Sequence, residues 1–460
     1  MRLTKDASTN GQRSTGGLWG RRLLGLAFFV LVAVMAAAVP RGTAAESPYL
    51  NVWVHYDYMV GADGSFAPSN AAIQMVVDAF RAHGVTLHID PQHTAIPERT
   101  VIVPDWPSEY ASTPGFDDPS CTGPDAVRFS DLKTQYFHPN SNHPWHYAVF
   151  GDFVFGDTAA HLLTCPPTQE NDNTPPHYGM TGDAQVGFDF GSVPFGLAYD
   201  FVVTTGAWKA EGLSVPDRFE ASYFMHELGH NLGLRHGGPP DPTNIDPATL
   251  ANNKPNYLSV MNYDFTGGIP YAVTPGSTEI VGYRIDYSDT ALPTLYEGSL
   301  DETLGVQDAA HPTDITYSNA EGFCATPIPA FGPVDWNGDG NTTDTQVTSD
   351  LNCDLNNGES LTGGDDWGWL CKRLTPPSIT SIDNAGDVFV TIVGVNLMLP
   401  ATVTFSGGAT SSVDGYQWGD DRGVTTQLYA FIPAGAKNGP ITITTPEGKA
   451  TSSQTLTITP

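Results

Sequence analysis

Eleven residues, 226–236, place three histidines and one glutamate at spacings that suit metal chemistry; they read HELGHNLGLRH. On a helix, His226 and His230 would project from one face, because residues four apart lie one turn above another. Two imidazoles on one face can hold one Zn²⁺. Gly233 would let the backbone leave the helix sharply and bring His236 back as a third ligand. Three protein nitrogens leave a fourth position for water, as a catalytic zinc ion requires.

Glu227 follows the first of these histidines and can reach a metal-bound water without being a ligand. The metal lowers the pKa of that water, and Glu227 is placed to accept its proton as a general base. An HExxH pattern alone arises by chance on amphipathic helices. The added glycine and histidine at fixed spacing make chance, or a set of merely structural histidines, a poor explanation. The pattern therefore predicts a zinc hydrolase.

The segment resembles the signature of the metzincin clan of zinc endopeptidases, HExxHxxGxxH followed by a methionine-containing turn. Residues 257–263, YLSVMNY, supply the second part. The resemblance implies that Met261 forms a hydrophobic floor under the metal, although a lone methionine more often fills a core. Tyr263 resembles the tyrosine of astacin-like and serralysin-like members, which stabilises the oxyanion; a packed aromatic ring is the alternative.

The resemblance covers about residues 215–310 and does not extend to one named subfamily. Gly237, Gly238, Pro239 and Pro240 follow the third histidine, where several subfamilies carry an acid or a serine. The chain looks closest to a loosely defined bacterial set of secreted metzincin-like proteases. The resemblance implies a metzincin-like catalytic domain over 46–310, with a mixed sheet and an active-site helix.

A second metal signal lies in a turn-rich region, 311–375. Counted from Asp335, side chains with oxygen atoms occupy alternate positions, and the sixth position is a glycine. This pattern is typical of the first half of an EF-hand Ca²⁺ loop. The twelfth position is Gln346 rather than Glu, and 350–356 repeats the alternation 15 residues further on. The segment predicts either Ca²⁺ binding or simple Asx turns. The candidate ligands are Asp335, Asn337, Asp339 and Asn341.

Residues 376–460 predict a small β-sandwich, because short runs rich in Thr, Val and Ile alternate with Gly and Pro turns. The segment resembles an IPT/TIG domain, an immunoglobulin-like sandwich. The residues that carry this resemblance are 377–382, 390–396, 403–408, 431–435 and 455–458. Such domains in secreted proteins act as spacers or adhesive modules, and a spacer is the expectation here.

The amino-terminal residues, 1–45, predict a secretory signal peptide: basic residues, then an uncharged stretch from Leu23 to Val39, then small residues. Cleavage is expected after Ala38 or Ala45, with an uncleaved anchor as the alternative. Export makes disulfides the natural role of the cysteines. Cys121 and Cys165 form the expected pair, and one of Cys324, Cys353 and Cys371 is left over.

The composition limits the classes of protein and partner that remain. The 460 residues carry 20 Lys+Arg against 50 Asp+Glu, a net charge of −30, and 40% are hydrophobic. This is globular composition, and the acidic excess argues against nucleic acid as a partner. We expect a monomer without a membrane span in its mature form.

Local patterns predict the elements around the motif. A strand is expected over 49–56, a helix over 70–83 capped by Asn70 and ended by Gly84, and an ordered loop over 165–200. The motif helix is expected to be capped by Ser214.

Together these features predict an α+β protein in which an Ig-like sandwich follows the catalytic domain. The predicted function is that of a secreted zinc endopeptidase that cleaves proteins or peptides. The alternative from another class is an extracellular binding or adhesive protein that uses its TIG-like domain, and a third interpretation is a zinc hydrolase of a non-peptide amide.

Overall fold

The computed structural model describes most of the chain from residue 50 onward. The described residues are 50–62, 64–99, 101–103, 126–139, 143, 145–154, 182–184, 199–210, 212–239, 251–319, 326–383, 388–397, 401–418, 425–445 and 448–458. The expected signal peptide lies outside them, as does the expected Cys121–Cys165 pair. Cys353 is disulfide-bonded and Cys371 is a free thiol.

A mixed sheet is built by the first half of the chain. The strands of this half are β1 (Asn51–Gly61), β2 (Gly64–Ser65), β3 (Thr86–Ile89), β4 (Ala95–Pro97), β5 (Val101–Val103), β6 (Ala126–Arg128), β7 (Trp145–Gly151), β8 (Phe153–Val154), β9 (Gly182–Ala184) and β10 (Asp200–Thr204). The sheet order is β2-β1-β7-β10-β9, with β3 and β4 also paired to β1, while β6-β5-β8 form a separate sheet. β7 runs parallel to β1 and β10, whereas β9 is antiparallel to β10. Every residue of β7 and β10 is buried, as expected for strands covered on both faces.

Helices cover this sheet. The α-helices of the described chain are α1 (Asn70–Ala82), α2 (Phe129–Tyr136), α3 (Gly206–Ala210), α4 (Asp217–Asn231) and α5 (Asp366–Arg373). α4 carries the HExxH segment, and its residues 221–231 are all buried. Phe224 of α4 packs against Phe201 of β10 and Phe150 of β7, with ring centroids 5.7 and 5.9 Å apart. The motif helix therefore lies inside the core rather than on a solvated surface.

The predicted helix boundaries need two corrections. Ser69 rather than Asn70 caps α1, because its side chain accepts a hydrogen bond from the Ala72 amide. α4 begins at Asp217 with Pro216 at its N-cap, so Ser214 does not cap it. Gly84 does end α1 with a left-handed φ of +76°.

The predicted loop over 165–200 is also wrong in part, because it contains β9. Three residues are too short for the alternation by which a strand is recognised in a sequence. β9 is identified by its antiparallel hydrogen bonds with β10, a partner distant in the local pattern of the sequence.

The middle of the chain forms short antiparallel pairs. Its strands are β11 (Ile269–Tyr271), β12 (Gly282–Arg284), β13 (Leu295–Tyr296), β14 (Ile315–Ser318), β15 (Thr326–Pro329) and β16 (Ser360–Leu361), paired β11–β12, β13–β16 and β14–β15. A second apolar core lies here, and it includes Leu258, Phe265, Trp336 and Leu351. α5 instead contributes Trp367, Leu370 and Leu374 to the core of the large sheet.

The carboxyl-terminal strands form a third core of their own. They are β17 (Ser378–Asp383), β18 (Phe389–Val395), β19 (Thr402–Ser406), β20 (Thr410–Trp418), β21 (Thr425–Phe431), β22 (Lys437–Thr445) and β23 (Gly448–Thr451), in the order β17-β18-β21-β20-β19-β22-β23. All their pairings are antiparallel. The prediction of an α+β chain, with a mixed sheet, a few helices and separate antiparallel sheets, is confirmed. Across the described ranges, no helix combines the length and the apolar character needed to cross a membrane.

A buried polar cluster ties the middle of β1 to the segment that follows β3. His55 Nδ1 lies 3.0 Å from Asp90 Oδ2, and its Nε2 lies 3.6 Å from Asp57 Oδ1. Tyr147 on β7 donates a hydrogen bond to Asp57. Burial by itself lowers the pKa of His55, but the two carboxylates outweigh it and raise that pKa above its usual value.

We expect the contribution of His55 to stability to depend on pH. A histidine whose pKa is higher in the folded than in the unfolded protein stabilises the fold when it is protonated. This stabilisation is complete below the unfolded pKa of about 6.5 and is lost as pH rises through the folded pKa. Urea unfolding of the wild type and His55→Gln should therefore differ most near pH 6 and least above pH 8. His88→Gln on β3 is the control, because burial lowers the pKa of His88 and its slope should have the opposite sign. Parallel pH profiles for wild type and His55→Gln would contradict this account.

Candidate metal centre

The three histidines of the HExxH segment converge on one point. The Nε2 atoms of His226 and His230 lie 3.2 Å apart, and His236 Nε2 lies 3.2 Å from the first and 3.0 Å from the second. α4 carries His226 and His230 one turn apart, and Gly233 ends the helix with a φ of +94°. That left-handed turn is favourable for glycine, and it brings His236 back toward the helix as the sequence predicted.

Backbone carbonyls fix the orientation of the two helical histidines. His226 Nδ1 lies 2.7 Å from Val260 O, and His230 Nδ1 lies 3.0 Å from Leu234 O. A carbonyl oxygen can only accept, so each Nδ1 carries the proton and each Nε2 presents a lone pair. This is the second contact that ligand histidines commonly make in metal sites.

Electrostatics keep these histidines neutral. Burial lowers the pKa of His226 to about 4, and the Val260 carbonyl offsets only part of that effect. Burial and the neighbouring imidazoles lower the pKa of His230 and of His236 well below the usual value. At neutral pH the site therefore offers lone pairs rather than positive charge.

The donor set fits a tetrahedral metal ion. Nitrogens bound at 2.0–2.1 Å to tetrahedral zinc lie about 3.3–3.4 Å apart, close to the separations found here. The Nε2 atoms of His226 and His230 lie 3.2 Å apart. Because both carry lone pairs and no proton lies between them, the two atoms repel each other. A cation at the centre would turn this repulsion into attraction.

The turn predicted to carry the methionine lies directly under the helix. Met261 is fully buried, and a Cβ added at Gly229 of α4 would collide with its sulfur. Val260, the preceding residue, supplies the carbonyl that holds His226. The turn and the histidines therefore form one unit, and Met261, which the resemblance gave as the floor of the site, lies against the motif helix.

Tyr263 begins a 3-10 turn, Tyr263–Phe265, beside the histidines. Its ring centroid lies 4.3 Å from that of His236 and 5.8 Å from that of His226. The ring is 40% exposed, so it lines the open side of the site rather than the core.

Glu227 points toward the edge of the large sheet. It is buried, and a Cβ added at Gly182 on β9 would lie 2.5 Å from its Oε1. A side chain at 182 would therefore displace the carboxylate. Sequence inspection gave no signal for Gly182, because its role depends on a contact across 45 residues.

A buried aspartate on α5 supports the methionine turn from below. Asp366 accepts hydrogen bonds from Tyr257 Oη and Ser259 Oγ, both in that turn. Ser259 Oγ in turn accepts from the Met261 amide at 3.2 Å. Burial raises the pKa of Asp366 to about 6, against the lowering effect of these hydroxyls. The sequence offered no signal for this residue, which lies about 100 positions from the turn.

Lys254 ties the segment after His236 to the same turn. Its ammonium donates to Gly237 O at 2.6 Å and to Thr362 O at 2.7 Å, and the residue is fully buried. Burial lowers its pKa to about 8, although the Asp366 charge acts in the opposite direction. Lys254 thereby fixes the backbone next to the third histidine.

The other predicted residues and histidines lie elsewhere. Asp335, Asn337, Asp339 and Asn341 share one loop, outside the histidine trio. A second group of possible metal-binding side chains surrounds His311, which lies between Asp308 and Asp314 with ligand atoms within 4.8 Å. Arg284 donates to Asp314 at 2.6 Å, so an ion-pair network accounts for this second group.

Comparisons with known proteins identify no family. No protein-family model matches the chain, and no curated protein matches it significantly.

We expect Gly229→Ala to disturb the methionine turn. In an exposed helix this change stabilises by about 1 kcal/mol, but here the new methyl group meets Met261 and should lower the unfolding free energy by about 1–3 kcal/mol. Urea denaturation measures the change. Met261→Ala should be less harmful in the Gly229→Ala background than alone, because it removes the collision. Stabilisation by the single variant would refute the close contact.

Proposed function

We propose that this chain is a secreted zinc endopeptidase with a metzincin-like catalytic domain. The observation that carries the proposal is the convergence of three neutral imidazole nitrogens at 3.0–3.2 Å, with Glu227 next to the first ligand in sequence. A set of three nitrogens and no thiolate suits zinc, and its open fourth position is typical of catalytic rather than structural sites.

The proposed chemistry divides between the metal and the chain. Zn²⁺, when held by His226, His230 and His236, supplies a Lewis acid that polarises a carbonyl and lowers the pKa of water. Glu227 accepts a proton from water as the water oxygen attacks the peptide carbonyl carbon. It then donates that proton to the amine nitrogen that leaves when the C–N bond breaks. Tyr263, whose ring lies beside that of His236, is assigned the role of donating a hydrogen bond to the developing oxyanion.

A peptide substrate is consistent with the position of β9 at the end of the described strand order. β9 pairs with β10 on one side, and no strand among the described residues pairs with its other side. An extended peptide can add to such an edge by main-chain hydrogen bonds. Because Glu227 lies against Gly182 of this strand, the added peptide would pass the general base.

The remaining parts of the proposal concern location and the carboxyl-terminal strands. Residues 1–45 are proposed to direct secretion as a cleaved signal peptide. The seven antiparallel strands from Ser378 to Thr451, with their own apolar core, support an immunoglobulin-like sandwich that resembles an IPT/TIG domain. We assign this part the role of a spacer.

Cleavage of unfolded casein by the mature chain tests the proposal. The wild type, loaded with one zinc per chain, should cleave it, and a zinc chelator should stop cleavage. Glu227→Ala should retain zinc by elemental analysis but lose about 10²–10⁴-fold in kcat, since this is the usual contribution of a general base. His230→Ala should lose both the metal and the activity.

Glu220→Gln is the matched control on the same helix. Glu220 accepts a hydrogen bond from the Ser69 amide and lies more than one turn before the first ligand, so this variant should keep activity within about twofold. A folded, zinc-loaded wild type that cleaves no peptide would refute the protease. Hydrolysis of a small amide by that preparation would indicate the non-peptide hydrolase, and no hydrolysis at all would favour the adhesive role of 376–460.

A further inference from the structure

Two loops of the middle region share one hydrogen-bonding plan at an offset of 15 residues. The first spans 335–344 and the second 350–359. In each, the opening aspartate accepts from the amide five residues later: Asp335 from Gly340 at 2.7 Å, and Asp350 from Leu355 at 2.9 Å. These two positions share a left-handed φ, +85° and +72°, which is strained at a leucine. The second loop therefore holds the same backbone course without the glycine.

One glutamate from a distant segment closes each loop. The backbone carbonyl of Glu302 accepts a hydrogen bond from the Val334 amide, and the Glu302 amide donates one to Asp344 O. Both distances are 2.9 Å. Glu297 makes the equivalent pair with Ser349 and Glu359, at 3.1 and 3.0 Å. The backbone of each glutamate is therefore hydrogen-bonded to the residue just before its loop and to the last residue of that loop.

Both glutamate side chains turn into the loops. Glu302 Oε1 accepts from the Trp336 amide at 2.9 Å, and Glu297 Oε1 accepts from the Leu351 amide at 2.7 Å. Glu297 Oε2 also accepts from the Glu359 amide at 3.3 Å. Both residues are fully buried. The first loop lacks a glutamate at its twelfth position, Gln346, and Glu302 brings the missing carboxylate from another part of the chain.

Buried carboxylate oxygens without hydrogen-bond partners point to an absent cation. Glu302 Oε2 is buried and has no partner within the described residues, and the same holds for Asp350 Oδ1 in the second loop. Leaving a buried carboxylate oxygen unsatisfied is costly, so such atoms mark places where a ligand belongs. No lysine or arginine of the described ranges forms an ion pair with the carboxylates of either loop.

Oxygen-only donors suit a hard cation. Ca²⁺ takes six to eight oxygens from carboxylates, amide side chains and backbone carbonyls. Besides its carboxylates, the first loop offers two asparagines, Asn337 and Asn341, and the second offers three, Asn352, Asn356 and Asn357. The loop carboxylates form no trio within 4.8 Å, unlike the histidines, so the ion must draw on these amide and backbone oxygens.

We propose that the loops 335–344 and 350–359 each bind one Ca²⁺, with Glu302 and Glu297 as the carboxylates that complete the two sites. The sites are separate from the histidine trio. Trp336 and Leu351, the second residues of the two loops, belong to the core that also holds Leu258 of the methionine turn and Phe265 just after it. Calcium would therefore stabilise the core on which that turn rests.

Calorimetric titration of the full mature chain with CaCl₂ tests this, after zinc loading and removal of calcium. We expect two ions per chain with dissociation constants at or below about 10⁻³ M, the weak end of protein calcium sites. Glu302→Gln should abolish or weaken one site at least tenfold, and Glu297→Gln the other. Asp335→Asn and Asp350→Asn repeat the test should a glutamine variant fail to fold, as judged by circular dichroism. Asp78→Asn on α1, an exposed aspartate, should change neither site.

Terbium luminescence separates the two loops, because Trp336 lies inside the first and can sensitise a bound lanthanide. Emission excited through tryptophan should appear with wild type, fall on addition of CaCl₂, and drop strongly in Glu302→Gln. Full retention of both ions by the folded Glu297→Gln variant would overturn the second site alone. No calcium bound by the folded wild type, or two ions retained by the folded Glu302→Gln and Glu297→Gln double variant, would overturn the proposal.

Discussion

The hydrogen bond from His226 to the Val260 carbonyl is the contact on which the site depends. It joins the motif helix to the methionine turn, and it sets which nitrogen of His226 faces the other imidazoles. A buried imidazole is free to flip between two nitrogens unless one of them is engaged. With Nδ1 held, the lone pair on Nε2 has a single direction. His230 is fixed by the same kind of contact to Leu234, so the orientation of both helical histidines is set by backbone carbonyls.

That dependence explains why the turn is itself so heavily supported. A carbonyl can orient a histidine only if its own backbone is fixed, and the turn has no regular secondary structure between Tyr257 and Asn262 to fix it. Side chains do so instead. Asn262 donates to two carbonyls of the turn and its approach, while Asp366 binds Tyr257 and Ser259 from α5. A buried carboxylate is costly in an apolar core, and hydrogen bonds from Tyr257, Ser259 and the Ser288 amide offset that cost.

The parts of this arrangement visible in the sequence are those set by short spacing. His226, His230, Gly233 and His236 follow from helical periodicity and one glycine, and the structure brings them together as expected. Met261 came only from a resemblance, since a single methionine carries no periodic signal. Asp366, Gly182 and Lys254 could not be found, because each acts through a contact with residues distant in the chain. The caps of α1 and α4 were misplaced for a related reason: several polar residues near a helix start can cap it, and the packing between the two helix starts decides.

The two acidic loops also combine features set by short spacing, which the sequence shows, with contacts between distant residues, which it does not. Their alternating Asp and Asn side chains are local and were visible, but the first loop seemed incomplete because position twelve is Gln346. The carboxylate that belongs there comes from Glu302, more than thirty residues earlier, and the backbone pairing of Glu302 with Val334 and Asp344 is what delivers it. A ligand set judged only along the sequence therefore underestimates such a site. Because the loops share a core with residues beside the methionine turn, order in this region bears on the geometry of the histidines as well.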